Sequence, residues 1–181
     1  PTSAFGIPSF TATNTGTSPI TGTITVTPIY VSGGTSCSGA DQTFTITVNP
    51  TPSLSSSLTP PDICSGSTFS YNPTTNVTGV ATTFSWTRAA VAGISNAANS
   101  GINNPNEILI NTTASPISVV YKYTLNAATC DNTQDVTVIV NPRPIISNPS
   151  TTVCSNVEAA FTPTNAPPAA IVPIGTTYSW G

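Results

Sequence analysis

A ten-residue segment occurs twice in the chain, and the interval between its copies restricts what the whole sequence can fold into. Residues 43–52 read TFTITVNPTP and residues 135–144 read DVTVIVNPRP, so the Asn-Pro-x-Pro tail returns after 92 residues. A period near 92 is too long for a solenoid repeat and is typical of a small β-sandwich domain. Three other landmarks keep nearly this step: Ile63–Gly66 returns as Val153–Asn156, Phe84–Trp86 as Tyr178–Trp180, and Cys37 as Cys130. The sequence therefore predicts tandem domains.

The phase of the repeat divides the chain into three portions. Asn14 and Pro19 match Asn111 and Pro116 at an offset of 97. Residues 1–50 are therefore predicted to form the last strands of a first repeat, residues 51–142 one complete repeat, and residues 143–181 the early strands of a third. Each Asn-Pro-x-Pro junction is expected to act as a short, semi-rigid spacer, because proline fixes its own φ and favours extended geometry before it. We expect both ends of the sequence to lie inside domains, as in an excerpt of a longer polypeptide.

Period-two alternation and β-branched residues predict an all-β, immunoglobulin-like sandwich. No segment of ten or more residues shows a period of 3.6, so we expect helix to be nearly absent. In the complete repeat the pattern places strands at 68–72, 82–88, 107–111, 118–125 and 133–140, with weaker ones at 53–58 and 91–94.

Alternation also assigns the side chains that should face the core. The inward positions are predicted to be Phe69, Tyr71, Phe84, Trp86, Ile108, Ile110, Val119, Tyr121, Tyr123, Val136, Val138 and Val140. The aromatic residues, with Tyr178 and Trp180, could instead form a sugar-stacking platform. Their alternation with Ser and Thr favours core packing.

Charge excludes several partners. Charged residues make up 5% of the chain against a usual value of about a quarter, and roughly a third of the chain is Ser or Thr. Three cations and a net charge of −3 provide no phosphate-binding surface, so nucleic-acid binding is not expected. No apolar run is long enough to span a bilayer, so membrane insertion is not expected either.

Catalytic material is scarce, which predicts that the chain is not an enzyme and holds no metal or cofactor. Without histidine there is no Ser-His or Cys-His pair and no imidazole ligand. A glycosidase pair would have to be drawn from Asp62, Glu107, Asp131 and Asp135, and their spacing does not set two of them across a cleft. A calcium site at Asp131 and Asp135 would need more oxygen ligands than these two acids provide. Lys122, the single lysine, is interpreted as a surface residue rather than an isopeptide donor, and the sequons at Asn76 and Asn111 as coincidence. The six carboxylates are dispersed: Asp41, Asp62, Glu107, Asp131, Asp135 and Glu158.

The four cysteines indicate an exported disulfide framework, because each full repeat holds two. Repeat arithmetic favours Cys64 with Cys130, leaving Cys37 and Cys154 to pair outside the chain. An immunoglobulin-like topology would put Cys64 and Cys130 at opposite poles, beyond the Cα limit of about 7 Å. The alternative is that Cys64 reaches the last hairpin of the following domain, in which case none of the four pairs within the chain. A metal site is disfavoured, since no CxxC or histidine accompanies them.

Several runs resemble the PKD-like repeats of giant surface adhesins of gliding Bacteroidota, of the SprB type. The resemblance is carried by residues 10–14, 18–20, 23–28, 42–52, 63–66 and 84–86. It implies an immunoglobulin-like domain repeated many times in a secreted protein, exported by the type IX system and displayed for adhesion or gliding. The sequence departs from the Trp-Asp-Phe-Gly-Asp-Gly motif of PKD domains, since Trp86 is followed by Thr87-Arg88-Ala89-Ala90.

The leading hypothesis is therefore a non-catalytic structural and adhesive module, a stalk or surface filament outside the cell. Its partners would be neighbouring repeats of the same polypeptide or neighbouring copies in a filament, with surface glycans as a further class. The alternative is a carbohydrate-binding accessory module of a secreted polysaccharide-active protein, which requires exposed aromatic side chains in place of buried ones.

Overall fold

The computed structural model describes residues 9–148 and 150–180, and within these ranges it is all-β, with no helical residue. The prediction of an all-β chain is confirmed. Among the described residues no helix is long and apolar enough to cross a membrane. The strands are β1 Ile20–Val26, β2 Ile29–Ser32, β3 Thr35–Ser38, β4 Gln42–Val48, β5 Ile63–Cys64, β6 Thr68–Phe69, β7 Thr82–Arg88, β8 Asn99–Ile102, β9 Glu107–Ile108, β10 Ile117–Ala127 and β11 Cys130–Asn141.

The chain forms two compact units. The first unit contains the residues up to Ser53 together with 75–83 and 125–132. The second unit contains 54–74, 84–124 and the residues from Thr133 onward. The sequence prediction drew boundaries at 50 and 142 instead, and that division into three portions stays a prediction.

A five-stranded sheet of order β5-β11-β10-β7-β8 forms one layer of the second unit, and the β6-β9 pair contributes to the other. The long strands β10 and β11 alternate buried and exposed residues, because every second side chain points to the same face of a strand. The aromatic rings of the two layers meet directly: the Phe69 and Tyr121 centroids lie 4.9 Å apart, and those of Tyr71 and Tyr123 lie 5.3 Å apart. Trp86 from β7 packs edge-on against Tyr121 at 5.4 Å.

Most of the predicted inward positions are buried, and strand 82–88 has the predicted bounds. The segment 107–111 is the exception, because the predicted phase is wrong. Ile108 and Ile110 are 55% and 37% exposed, whereas Leu109 is fully buried. Glu107 and Asn111 share the face of Leu109, and hydrogen bonds hold both polar groups there. A satisfied polar side chain can occupy a core face, which hydropathy alternation does not anticipate.

Other differences concern short strands. The weak strands predicted at 53–58 and 91–94 do not form as strands, whereas β5 and β8 were not predicted. Strand β8 was missed because Asn99, Ser100 and Gly101 give it little apolar pattern. Gly101 pairs in register with Trp86, and an added Cβ would lie 2.8 Å from the indole, so glycine leaves room for the ring.

The first unit contains two antiparallel pairs. Strands β1 and β4 pair from Ile20 with Val48 to Val26 with Gln42. Strands β2 and β3 form a hairpin whose Gly33-Gly34 turn has positive φ at both residues, the geometry that glycine adopts at least cost. The apolar face of the β1/β4 pair borders a groove of about 310 Å³, lined in part by Phe10, Ile24 and Ile46.

Candidate functional site

The charged residue in the core of the second unit is Arg88, and its partner is Glu107. The Arg88 Nε donates to Glu107 Oε2 at 2.9 Å and its Nη2 donates to Oε1 at 3.0 Å. The Tyr121 hydroxyl and the Asn99 amide donate to the same carboxylate at 2.7 and 2.9 Å. The Arg88 side chain is 1% exposed and that of Glu107 10%. We call these four residues the charge cluster.

The pKa shifts in the cluster keep Arg88 and Glu107 ionised and keep the Tyr121 hydroxyl neutral. The hydrogen bond from Arg88 to Glu107 raises the pKa of the Arg88 guanidinium further. Burial works to raise the pKa of Glu107, but the hydrogen bonds from Arg88, Asn99 and Tyr121 prevail and hold it below 4.5. Burial, together with the neighbouring Glu107 carboxylate, raises the pKa of the Tyr121 hydroxyl well above 10.0. The cluster is therefore charged and fully paired at neutral pH, and it joins β7, β8, β9 and β10.

Sequence reasoning missed this cluster, although one signal pointed to it. Arg88 stands two residues after Trp86, so alternation along β7 puts both on one face. A cation on a core face needs a buried anion, and Glu107 is the acid on the segment that packs there. Because every charge in the cluster already has a partner, its chemistry is structural support rather than proton transfer to a substrate.

The remaining acids of the complete repeat lie elsewhere. Asp62 accepts a hydrogen bond from the Asn141 amide at 3.4 Å, Asp131 accepts one from Asn126, and Asp135 is exposed on β11. The structure gathers no group of three or more potential His, Cys, Asp or Glu ligands in residues 9–148 and 150–180.

Core packing holds for Trp86 and for the tyrosines of residues 51–142, and it fails for Tyr178 and Trp180. Trp86 and Tyr71 are 4% and 5% exposed, so neither ring is available for stacking on a sugar. Trp180 and Tyr178 are 91% and 43% exposed, so the prediction that they pack in a core is wrong in this structure.

An asparagine ties a loop to the last strand of a β-pair at two places in the chain. In the first unit, Asn14 Nδ2 donates to Ser18 O at 2.9 Å and to Val48 O at 2.8 Å. Its Oδ1 accepts from Gly16 N at 2.9 Å. We call this arrangement an asparagine corner. Val48 directly precedes Asn49, the first residue of the Asn-Pro-x-Pro junction.

The second asparagine corner has the same hydrogen bonds in the second unit. Asn111 Nδ2 donates to Ser115 O and to Val140 O, both at 2.8 Å. Its Oδ1 accepts from Thr113 N at 2.8 Å. Val140 likewise precedes a junction asparagine, Asn141. Since Asn111 is 2% exposed and its amide is fully engaged, this sequon offers no free acceptor nitrogen.

The four cysteines are free thiols in the structure. The preferred pairing of Cys64 with Cys130 is not formed, and the strand geometry shows why. Cys64 pairs in register with Asn141 at the end of β11, whereas Cys130 begins the same strand. The two cysteines therefore stand at opposite ends of β11, and the structure does not join them. Pairing with partners outside the chain stays a prediction.

Residues 61–144 match the family model of the PKD-like domain. They include the five-stranded sheet, the β6-β9 pair and the charge cluster. No curated protein matches the chain. The resemblance to a PKD-like repeat is therefore supported for this segment.

Proposed function

We propose that this chain is a non-catalytic structural and adhesive repeat module of a long secreted cell-surface protein, acting as a stalk or surface filament. PKD-like domains are commonly modules of this kind, and residues 61–144 match their family model. The charged groups of the charge cluster are paired with one another within the cluster. The tryptophan and the three tyrosines of residues 51–142 are buried, which argues against the carbohydrate-binding alternative.

The observation that carries the proposal is the recurrence of the asparagine corner. Asn14 and Asn111 make the same set of hydrogen bonds, and each fixes the strand that leads into an Asn-Pro-x-Pro junction. A stalk made of serial domains needs the same connection between each domain and the next. The asparagine corner provides such a connection by holding the strand before each junction with an uncharged side chain.

The junction in the first unit supports a stiff connection. Pro50 and Pro52 are almost completely buried, unlike the residues of a free linker. Ser53 N donates to Asn76 Oδ1 at 2.8 Å, and Asn76 N donates to Ser53 O at 3.0 Å. Asn132 Nδ2 donates to Pro52 O at 2.8 Å. Backbone and side chain together therefore immobilise the segment after the prolines.

The junction in the second unit has a related arrangement. Ile145 and Ile171 exchange two backbone hydrogen bonds, of 2.8 and 2.7 Å. Arg143, between the two junction prolines, lies close to Gly66, where a Cβ would be 3.7 Å from the guanidinium. Each junction is therefore followed by a segment whose backbone is hydrogen-bonded to another part of the chain.

The proposed partners are neighbouring repeats of the same polypeptide or neighbouring copies, with surface glycans as an adhesion target. The proposed location is the cell surface, after export by the type IX system, with a role in adhesion or gliding. These finer assignments rest on the resemblance in the sequence and on the even number of cysteines.

Small-angle scattering tests the structural role. A compact globule of 181 residues would have a radius of gyration of about 16 Å. The proposal predicts a clearly larger radius and an elongated distance distribution, because serial modules do not fold back on one another. A glycan array with the same sample should give no signal that depends on Trp86. A compact scattering profile, or sugar binding lost in a Trp86→Ala variant that remains folded, would contradict the proposal.

A further inference from the structure

Cys130 lies beside a junction carbonyl in the first unit. Its Sγ is 3.9 Å from the backbone oxygen of Asn49, and the residue is only partly exposed. Asn132, two residues along β11, hydrogen bonds Pro52 in the same junction. The last hairpin of the complete repeat therefore touches the junction that precedes this repeat.

Cys64 lies beside the corresponding carbonyl in the second unit. It is the register partner of Asn141, and the next residue, Ser65, donates its N–H to the Asn141 oxygen at 2.8 Å. Its thiol is exposed. Strand β5, the first strand of the complete repeat, therefore touches the junction that follows this repeat.

Asn49 and Asn141 are equivalent positions. They are 92 residues apart, they begin the two Asn-Pro-x-Pro junctions, and each follows the valine whose carbonyl accepts the corner asparagine. The Cys130 thiol lies beside the carbonyl oxygen of Asn49, and Ser65, the neighbour of Cys64, donates to the equivalent oxygen of Asn141. The two cysteines belong to opposite sides of a junction, so they would come from consecutive repeats.

We propose that a disulfide crosses each repeat junction and joins the Cys64 position of one repeat to the Cys130 position of the next. This inference rests on the proposed serial array. Cys154 has the local geometry of Cys64, since both turns close on the cysteine carbonyl and have positive φ two residues later, at Asn156 and Gly66. Cys37 occupies the Cys130 position of the first repeat by sequence. None of the four cysteines then has its partner within this chain.

The reaction needs an oxidant, and a disulfide such as oxidised glutathione serves. One thiolate attacks a sulfur of the oxidant, releases a thiol and forms a mixed disulfide, which the second cysteine then resolves. One Sγ–Sγ bond forms, two thiol protons and two electrons leave the protein, and the oxidant departs as two thiols. The bond would link consecutive repeats covalently at a second point besides the backbone.

The first test uses the chain itself, at a concentration low enough to keep it monomeric. After treatment with oxidised glutathione and removal of mixed disulfides, all four cysteines should remain alkylatable, because no junction partner is present. A Cys64–Cys130 crosslink within one chain, detected by peptide mass mapping, would overturn the inference.

The second test adds the missing partner. Residues 87–142 are appended after Trp180, which completes the third repeat with a second copy of Cys130. We expect the five thiols of this chain to fall to three, with Cys64 crosslinked to the copied cysteine. Cys64→Ser should abolish the crosslink, and Cys154→Ser should leave it unchanged. Crosslinking that involves Cys154 instead, or five free thiols, would overturn the inference.

The fluorescence of Trp180 shows whether a missing crosslink means that the disulfide is absent or that the serial domains do not form. In the chain itself its indole is 91% exposed, and completion of the third repeat should bury it and shift its fluorescence to the blue. A buried Trp180 with five free thiols contradicts the disulfide alone. A Trp180 that stays exposed contradicts the serial array, and with it the disulfide that depends on the array.

Discussion

The pairs β1/β4 and β10/β11 present the same alternating pattern and differ in what covers it. On β11 the inward valines 136, 138 and 140 are fully buried. At the matching positions of β4, Phe44 is 40% exposed and Ile46 and Val48 are only half-buried. Both pairs are joined by β-ladder hydrogen bonds, so pairing alone does not explain the difference.

This difference shows that the inner face of a strand pair is buried only where a second layer of side chains covers it. In the second unit, the Phe69 and Tyr71 rings lie against Tyr121 and Tyr123 on the inner face of β10. Burial of apolar area contributes about 25 cal/mol per Å², so a covered face stabilises its strands far more than a half-open one. The β1/β4 pair bears the pattern of a core face, and its groove is the space a covering layer would fill.

The largest effect should come from the charge cluster of the covered region. Replacement of Arg88 by methionine leaves the buried Glu107 carboxylate without its cation, and we expect the free energy of unfolding to fall by about 3–5 kcal/mol. The double variant Arg88→Met with Glu107→Leu should regain at least half of this loss. Urea unfolding followed by Trp86 fluorescence measures both. A double variant as unstable as the single one would show that the ion pair itself is not responsible.

The two asparagine corners make equivalent hydrogen bonds, so replacing each asparagine compares how much these bonds stabilise the two units. Asn111→Ala removes a buried amide and leaves Val140 O and Ser115 O without their donor, which should cost about 2–3 kcal/mol. Asn14→Ala should cost about 1 kcal/mol or less, because Asn14 is only half-buried and water reaches its bond to Ser18. Hydrogen exchange of the strand amides near each corner reports the two losses. Equal losses would mean that the covering layer does not strengthen the corner.

Replacing one glycine in each unit, Gly101 and Gly22, should change stability by a smaller amount. Gly101→Ala places a methyl group about 2.8 Å from the Trp86 indole and should destabilise the second unit by roughly 1–2 kcal/mol through overpacking. Gly22 on β1 has nothing within 4 Å of an added Cβ, so Gly22→Ala should be neutral or slightly stabilising. Thermal unfolding of both variants provides the comparison. A neutral Gly101→Ala would contradict the tight fit between β7 and β8.

The pH dependence should be the smallest effect. The pKa of Glu107 lies below its ordinary 4.5, so its ionised form stabilises the fold above that value and the contribution is lost as the pH falls through the lower folded pKa. The pKa of Tyr121 lies above 10.0, so its neutral form stabilises the fold below pH 10 and is lost in stronger alkali. Stability should be level from about pH 5 to 9. In the Glu107→Leu, Arg88→Met variant the acidic decline should weaken.

The sequence predicted those parts of the fold that depend on uninterrupted alternation. The bounds of β7 and the inner face of β10 and β11 follow from β-branched and aromatic residues at every second position. The prediction failed where polar groups occupy core positions. Glu107 and Asn111 reverse the expected phase of 107–111, because partners distant in sequence satisfy them.

The candidate sites were less predictable for the same reason. Asn14 and Asn111 were recognised as matching landmarks, but their hydrogen bonds to the ends of β4 and β11 depend on the folded sheet. Arg88 was read only as a departure from a known motif. The proposed cysteine pairing depends on the register of Cys64 with Asn141, which no spacing in the sequence reveals.

Hydrogen exchange of the intact chain tests most directly whether the covering layer, rather than strand pairing, holds these strands. The account predicts slow exchange for the ladder amides of β10, which lies between β11 and β7. It predicts exchange at least a hundredfold faster for the ladder amides of β1, which pairs with β4 alone among the described strands. Equal protection of the two strands would contradict it, because an uncovered pair would then be as stable as a covered one.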